Sequence, residues 1–191
     1  MAIKTNYKIT VILAAVFLLF LAGVCEREPE IQPSGRTIKL GVIGPFMGDD
    51  QAKGVDGVEG LKTAMQLEPF LENCDKIELV IEDDQNQPEL TIRAMNKLVT
   101  EDKVSAIVLM SSSKSALAVR TLANEAKIPV LAMLATHPDV TLNNDYISQL
   151  CFDDNSQAAV AALFVMDELL LERAAVFTNP DSQHSTALTA E

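Results

Sequence analysis

The sequence predicts an α/β protein built on a doubly wound, mostly parallel sheet, and three observations carry that expectation. From residue 37 onward, short β-rich runs alternate with stretches of helical period. Several of the runs are almost wholly apolar, which marks strands covered by helices on both faces. Helix-opening chemistry follows the runs, with Pro88 after the second and Ser111-Ser112-Ser113 after the third. Parallel strands joined through helices then take right-handed crossovers.

The elements follow in order. TIKLGVIG, ending at Gly44, is the first strand, and Val55, Val58, Leu61 and Met65 recur at helical spacing behind it. KIELVIED, residues 76–83, is the second strand. Pro88 opens the second helix, with Ile92, Met95 and Val99 as its apolar stripe. VSAIVLM, residues 104–110, is the third strand, and Ala116, Val119, Ala123 and Ala126 line the helix after it. VLAML, residues 130–134, is the fourth, opened by Pro129. A shorter apolar segment, residues 146–152, supplies a fifth. Beyond it lie an unbroken apolar run, residues 158–166, expected to be covered on most sides, and a further strand at residues 174–178 (AAVFT). This last unit has too little partner surface to bury itself. The expectation is a complete first lobe, residues 37–152, and the start of a second, residues 153–191, cut short or completed by another polypeptide.

Of 191 residues, 48% are hydrophobic and 5% aromatic, with no Trp, so the core must be aliphatic. A net charge of -12 excludes the Lys/Arg clusters that nucleic-acid backbones require. The first 25 residues read as a secretory signal. Lys4 and Lys8 precede an apolar run from Ile9 to Val24, broken by Thr10 and short for a spanning helix; a short uncleaved anchor is the alternative. Ala22-Gly23 before Cys25 resembles a lipoprotein box, although Val24 stands where Gly, Ala or Ser is expected. Cys25 is therefore the candidate lipidation site, with cleavage and release as the alternative. Residues 26–36, containing EREPEIQPS, form a polar tether. Cys74 and Cys151 remain in the exported chain, as a disulfide or, the reading preferred here, as free thiols.

Ligands of open parallel sheets bind beyond the carboxyl ends of the strands. Those ends carry hydroxyls here: Ser113 after the third strand and Thr136 after the fourth. If the two strands are neighbours, both face one cleft. Ser113 would stand at a helix N-terminus, where free N–H groups and the dipole favour a carboxylate. The plainer alternative is that Ser111, Ser112 and Ser113 only cap the helix. No metal or cofactor is expected. His137 and His184 are the only histidines, and Asp49-Asp50, Asp83-Asp84 and Asp153-Asp154 lack metal-ligand spacing, so these carboxylates read as caps or solvated groups. No phosphate-binding Gly-Lys-Ser/Thr follows Gly44.

Residues 38–60 (IKLGVIGPFMGDDQAKGVDGVEG), 76–88 (KIELVIEDDQNQP), the triple-serine loop, 128–138 (IPVLAMLATHP) and 153–157 (DDNSQ) occur in one order. As a set they resemble the leucine/isoleucine/valine-binding proteins, a family of type 1 periplasmic binding proteins. The resemblance implies a bilobed, extracytoplasmic receptor that binds an amino acid between its lobes and delivers it to an ABC permease. It implies no enzyme activity and a monomer when complete. It places the ligand carboxylate on Ser113 and Thr136 and the ammonium on the Leu134 carbonyl, with Ser112 and Ala135 beside them on the same loops. The family's aromatic residue in the first loop reads Lys53 here, and its second-lobe Tyr falls near Gln183 or His184. Its usual disulfide would join the positions of Asn86 and Ser112, and both cysteines are missing together. One alternative keeps the fold and makes it the sensing domain of a signalling receptor. A remoter one reads Ser111-x-x-Lys114 as the motif of a serine acyl enzyme, without the Ser-Asp-Asn and Lys-Thr-Gly that should accompany it.

Overall fold

The computed structural model describes residues 35–189; the expected signal, Cys25 and most of the expected tether lie outside that range. Five parallel strands, β1 (Thr37–Gly44), β2 (Lys76–Asp83), β3 (Ala106–Leu109), β4 (Val130–Ala132) and β5 (Ile147–Gln149), form one sheet in the order β2-β1-β3-β4-β5. Helices α1 (Gln51–Leu67), α2 (Pro88–Lys97) and α3 (Ser113–Ala126) cross between them. The doubly wound architecture is thus as the sequence predicts, with β3 and β4 shorter than their apolar runs. The chain reverses its direction of travel across the sheet between β1 and β3, and a crevice opens at such a switch point.

Side chains alternate across the strands, which sorts the core into two layers. Ile43, Ile107, Leu109, Val130, Ala132 and Ile147 point to one face, where Met95 of α2, Leu98 just after it, and Ala116, Val119 and Ala123 of α3 cover them. Val42, Val108 and Met110 point to the other, where Val58 and, more loosely, Leu61 of α1 meet them. Two expected stripe positions face outward instead: Val55 and Ala126 are both exposed.

The α1 face is only partly covered, because among the described residues one helix spans it across a five-stranded sheet. Ile81 of β2 remains 42% exposed and Leu131 of β4 36% exposed, contrary to the expectation that the strands are buried on both sides. On this face α1 sits very close to the loop after β1. A Cβ built on Gly54 would lie 2.2 Å from the Pro45 carbonyl oxygen, so only Gly allows that approach.

Beyond β5 the expected cover over the apolar helix and the expected strand at 174–178 are missing among the described residues, in keeping with the expected shortage of partner surface there. Helix α4 (Asp154–Leu163) and the wider helical turn after it, Phe164–Glu168, bury a single residue, Asp154. Val160, Leu163, Phe164 and Met166 are each more than half exposed. Residues 174–178 form no strand, and Phe177 is 95% exposed. Among the described residues no strand lies beside AAVFT to pair with it, so its β propensity has nothing to act on. A six-residue helix, α5 (Gln183–Leu188), packs against α4 and α3. No described helix is long and apolar enough to cross a membrane.

The two layers predict unequal sensitivity. Ile107→Ala should cost about 2–5 kcal/mol of unfolding free energy, because Ile107 is 1% exposed in the closed layer. Ile81→Ala should cost less than half as much. Urea denaturation of both variants, with circular dichroism as readout, checks the ordering.

Candidate functional site

The carboxyl ends of β1, β3 and β4 enclose a cleft of about 600 Å³. Its lining includes Pro45 after β1, Lys53, Asp56 and Gly57 on α1, and Asn86 after β2. Met110, Ser111, Ser112 and Ser113 after β3, Leu134 and Thr136 after β4, and His184 of α5 complete it. Five of the six residues that the sequence nominates as ligand contacts thus meet in one place. Ala135 does not line the cleft: it is fully buried, and its carbonyl accepts from Gln149 Nε2 at 2.9 Å and Cys151 Sγ at 3.2 Å. Burial pushes the Cys151 thiol up, which keeps it a donor. Cys74 and Cys151 are both free and half-buried.

The three serines have different jobs, and no side-chain cap comes from Ser112 at the N-cap of α3. Ser111 is buried and donates to Asp84 Oδ2 at 2.6 Å, while Lys114 of the Ser-x-x-Lys match is exposed. Ser113 Oγ accepts from the backbone N–H of Thr136 at 3.1 Å and of His137 at 3.2 Å. Both acceptor positions of that hydroxyl are therefore occupied, and its own proton is left to donate.

Thr136 reaches the same state by another route. Its Oγ1 lies 2.9 Å from His184 Nδ1, which lies 2.6 Å from Asp154 Oδ1. A carboxylate only accepts, so Nδ1 carries the proton and points it toward Asp154. Thr136 Oγ1 then has no acceptor in Nδ1, and its hydroxyl proton is free for a guest. Both contacts use the same ring nitrogen. The group therefore cannot relay a proton as a nucleophile–His–Asp triad does, which needs both nitrogens. Asp154 is fully buried, whereas the sequence suggested a cap or a solvated group; the cap is Asp153, which accepts from Ser156 N at 2.8 Å.

Asp84 departs from the sequence expectation in the same way. It is fully buried and accepts from Ser111 Oγ, from Thr91 Oγ1 at 2.7 Å and from Asn86 N at 2.9 Å. Three donors let a carboxylate stay inside. Its neighbour Asp83 accepts from Phe46 N at 2.7 Å and so ties down the loop after β1.

Asn86 and Ser112, the positions matching the family's disulfide, meet here through a hydrogen bond. Ser112 N donates to Asn86 Oδ1 at 2.9 Å. Asn86 Nδ2 donates in turn to Asp50 Oδ2 at 2.7 Å, and Asp50 Oδ1 pairs with Lys53 Nζ at 2.6 Å. Lys53, with Asn86 second, holds the Asp50 carboxyl below its ordinary range. The folded-state value lies under the unfolded one, so this contribution to stability is in place above the ordinary carboxylate range. It is lost as pH falls through the folded-state value.

Asp56 is a charged lining residue that was not among those expected from the sequence. Its signal was present: it stands three residues after Lys53 on the same helix and so shares its face. Among the described residues no group of His, Cys, Asp and Glu is arranged to hold a metal ion.

A doubly wound lobe with a cleft at its switch point is the architecture of small-molecule receptors as well as of enzymes. The profile of the periplasmic binding protein family matches residues 37–191, and the chain belongs to that family. It is similar to a protein of Pseudomonas aeruginosa described as an amino acid binding protein, 28% identical over 148 residues, covering 76% of this chain and 40% of the other. The fold resembles a leucine-binding protein of Thermotoga maritima, with a TM-score of 0.72 at 30% identity, covering 79% of this chain and 43% of that one. It also resembles an ABC-transporter solute-binding protein of Rhodopseudomonas palustris solved with 3,4-dihydroxybenzoic acid, with a TM-score of 0.65 at 26% identity, covering 69% and 36%. The chain thus spans less than half the length of these relatives.

The Asn86–Ser112 contact sets a test. Asn86→Cys with Ser112→Cys should form a disulfide on oxidation and raise stability by about 2–4 kcal/mol. Thiol titration and the thermal midpoint before and after reduction check it.

Proposed function

We propose that this chain supplies the first ligand-contacting lobe of an extracytoplasmic solute-binding receptor that takes up an amino acid and presents it to an ABC permease. The observation that carries the reading is the pairing of Ser113 and Thr136. They stand at the ends of adjacent parallel strands, in one cleft, and each has a hydroxyl proton free to donate. Ser113 opens α3, so the helix N-terminus adds its partial positive charge beneath the same spot. A ligand carboxylate fits that combination. The Leu134 carbonyl, on the rim between them in sequence, accepts from the ligand ammonium.

No bond is made or broken in this mechanism. Hydroxyls and backbone groups replace water around the ligand's charged head, and a second lobe closes over it at a hinge. The name of the Pseudomonas relative, the family and the signal-like first 25 residues support an exported binding role. Cys25 is the residue to examine for lipid attachment.

A single lobe supplies one wall of the enclosure and binds weakly, so the test is a titration of the ¹⁵N-labelled chain with L-amino acids followed by NMR. Shifts are expected at Ser113, Leu134 and Thr136. Ser113→Ala and Thr136→Ala should each weaken binding by roughly 10–100-fold, the loss of one hydrogen bond to a charged group. Unchanged affinity in both variants would overturn the site.

A further inference from the structure

The far wall of the cleft carries a pair of groups that an aliphatic side chain leaves unanswered. Lys53 and Asp56 both line it from α1, three residues apart and therefore on one side of the helix. Lys53 stands in the first turn of α1, where a cation opposes the helix dipole. Its Nζ is anchored by Asp50, which Asn86 holds in place. An ammonium has three donors and this anchor uses one, so Lys53 retains donors for a guest. Asp56 makes no ion pair or side-chain hydrogen bond among the described residues and is an acceptor only. The wall thus offers a fixed donor and a free acceptor side by side.

We propose, resting on the amino-acid reading above, that the cleft selects α-amino acids whose side chain ends in a primary carboxamide. Lys53 donates to the amide oxygen and Asp56 accepts from the amide nitrogen, while the head group sits at Ser113 and Thr136. A carboxamide carries one acceptor and one donor on a single carbon and no net charge, the complement of this pair. A side-chain carboxylate satisfies Lys53 but meets Asp56 as a like charge. A side-chain ammonium does the reverse. An aliphatic side chain leaves Asp56 unpaired and Lys53 with Asp50 alone, the arrangement by which polar sites reject apolar analogues.

The probes are L-glutamine, L-glutamate, L-leucine and butyramide, titrated into the ¹⁵N-labelled chain and into Lys53→Met and Asp56→Ala. Both substitutions are at exposed positions and leave the core intact. Glutamine should bind roughly tenfold more tightly than leucine or glutamate and shift Lys53 and Asp56 together with Ser113 and Thr136. Butyramide, which lacks the amino-acid head, should bind more weakly than glutamine. Lys53→Met should reduce the glutamine-to-leucine ratio, with Asp56 alone still favouring the amide, and Asp56→Ala should raise glutamate relative to glutamine. Leucine binding as tightly as glutamine, with shifts at Ser113 and Thr136, overturns the carboxamide assignment and leaves the amino-acid site standing. Absence of shifts at Ser113 and Thr136 with every amino acid overturns both.

Discussion

The carboxylate of Asp84, wholly withdrawn from water at the end of β2, gathers three donors from three places: the hydroxyl of Ser111 after β3, the hydroxyl of Thr91 on α2 and the backbone of Asn86 in its own loop. A charge in that position is tolerated only while its partners stay put. It therefore fixes the loops that follow β2 and β3 relative to each other. From there the rim is built outward: Asn86 holds Ser112 and Asp50, and Asp50 holds Lys53. Ser113, next along the chain, then receives the Thr136 and His137 amides and joins the loop after β4 to the same frame. The cleft is a consequence of one buried carboxylate and the hydrogen bonds radiating from it.

This frame needs no disulfide. Where the family pattern places two cysteines, the chain puts an Asn side chain against a backbone N–H, and Asn86 uses its amide nitrogen to reach Asp50. A disulfide would spend both side chains on one link. The Asn makes two, and the second reaches the wall that carries Lys53. The left-handed backbone of Asn86, with φ of 56°, is among the conformations that Asn tolerates best.

The region beyond β5 obeys different physics. Asp154 anchors it through His184 and through its backbone N–H, which donates to the Thr136 carbonyl at 2.8 Å. Apolar side chains of α4 and of residues 174–178 remain in water. Propensity and apolar content favour a helix and a strand here; the helix forms because its backbone bonds are internal, and the strand does not because its partners must come from elsewhere.

What the sequence determined by itself was the set of properties that depend on neighbours along the chain. Strand and helix order, the bounds of β1 and β2, and the opening of α2 at Pro88 follow from period and local backbone preference. So does the arrival of Ser113 and Thr136 at strand ends, since those positions are fixed by where the strands stop. What only the tertiary structure decided was the role of each polar group. Nothing local distinguishes Asp84, which is buried, from Asp83, or Asp154 from its neighbour Asp153, which caps a helix. Nor does anything local separate Ser111, which donates inward to Asp84, from Ser113, which is left with a proton to give. Those roles depend on which loop packs over which strand end, and that is a property of contacts distant in sequence.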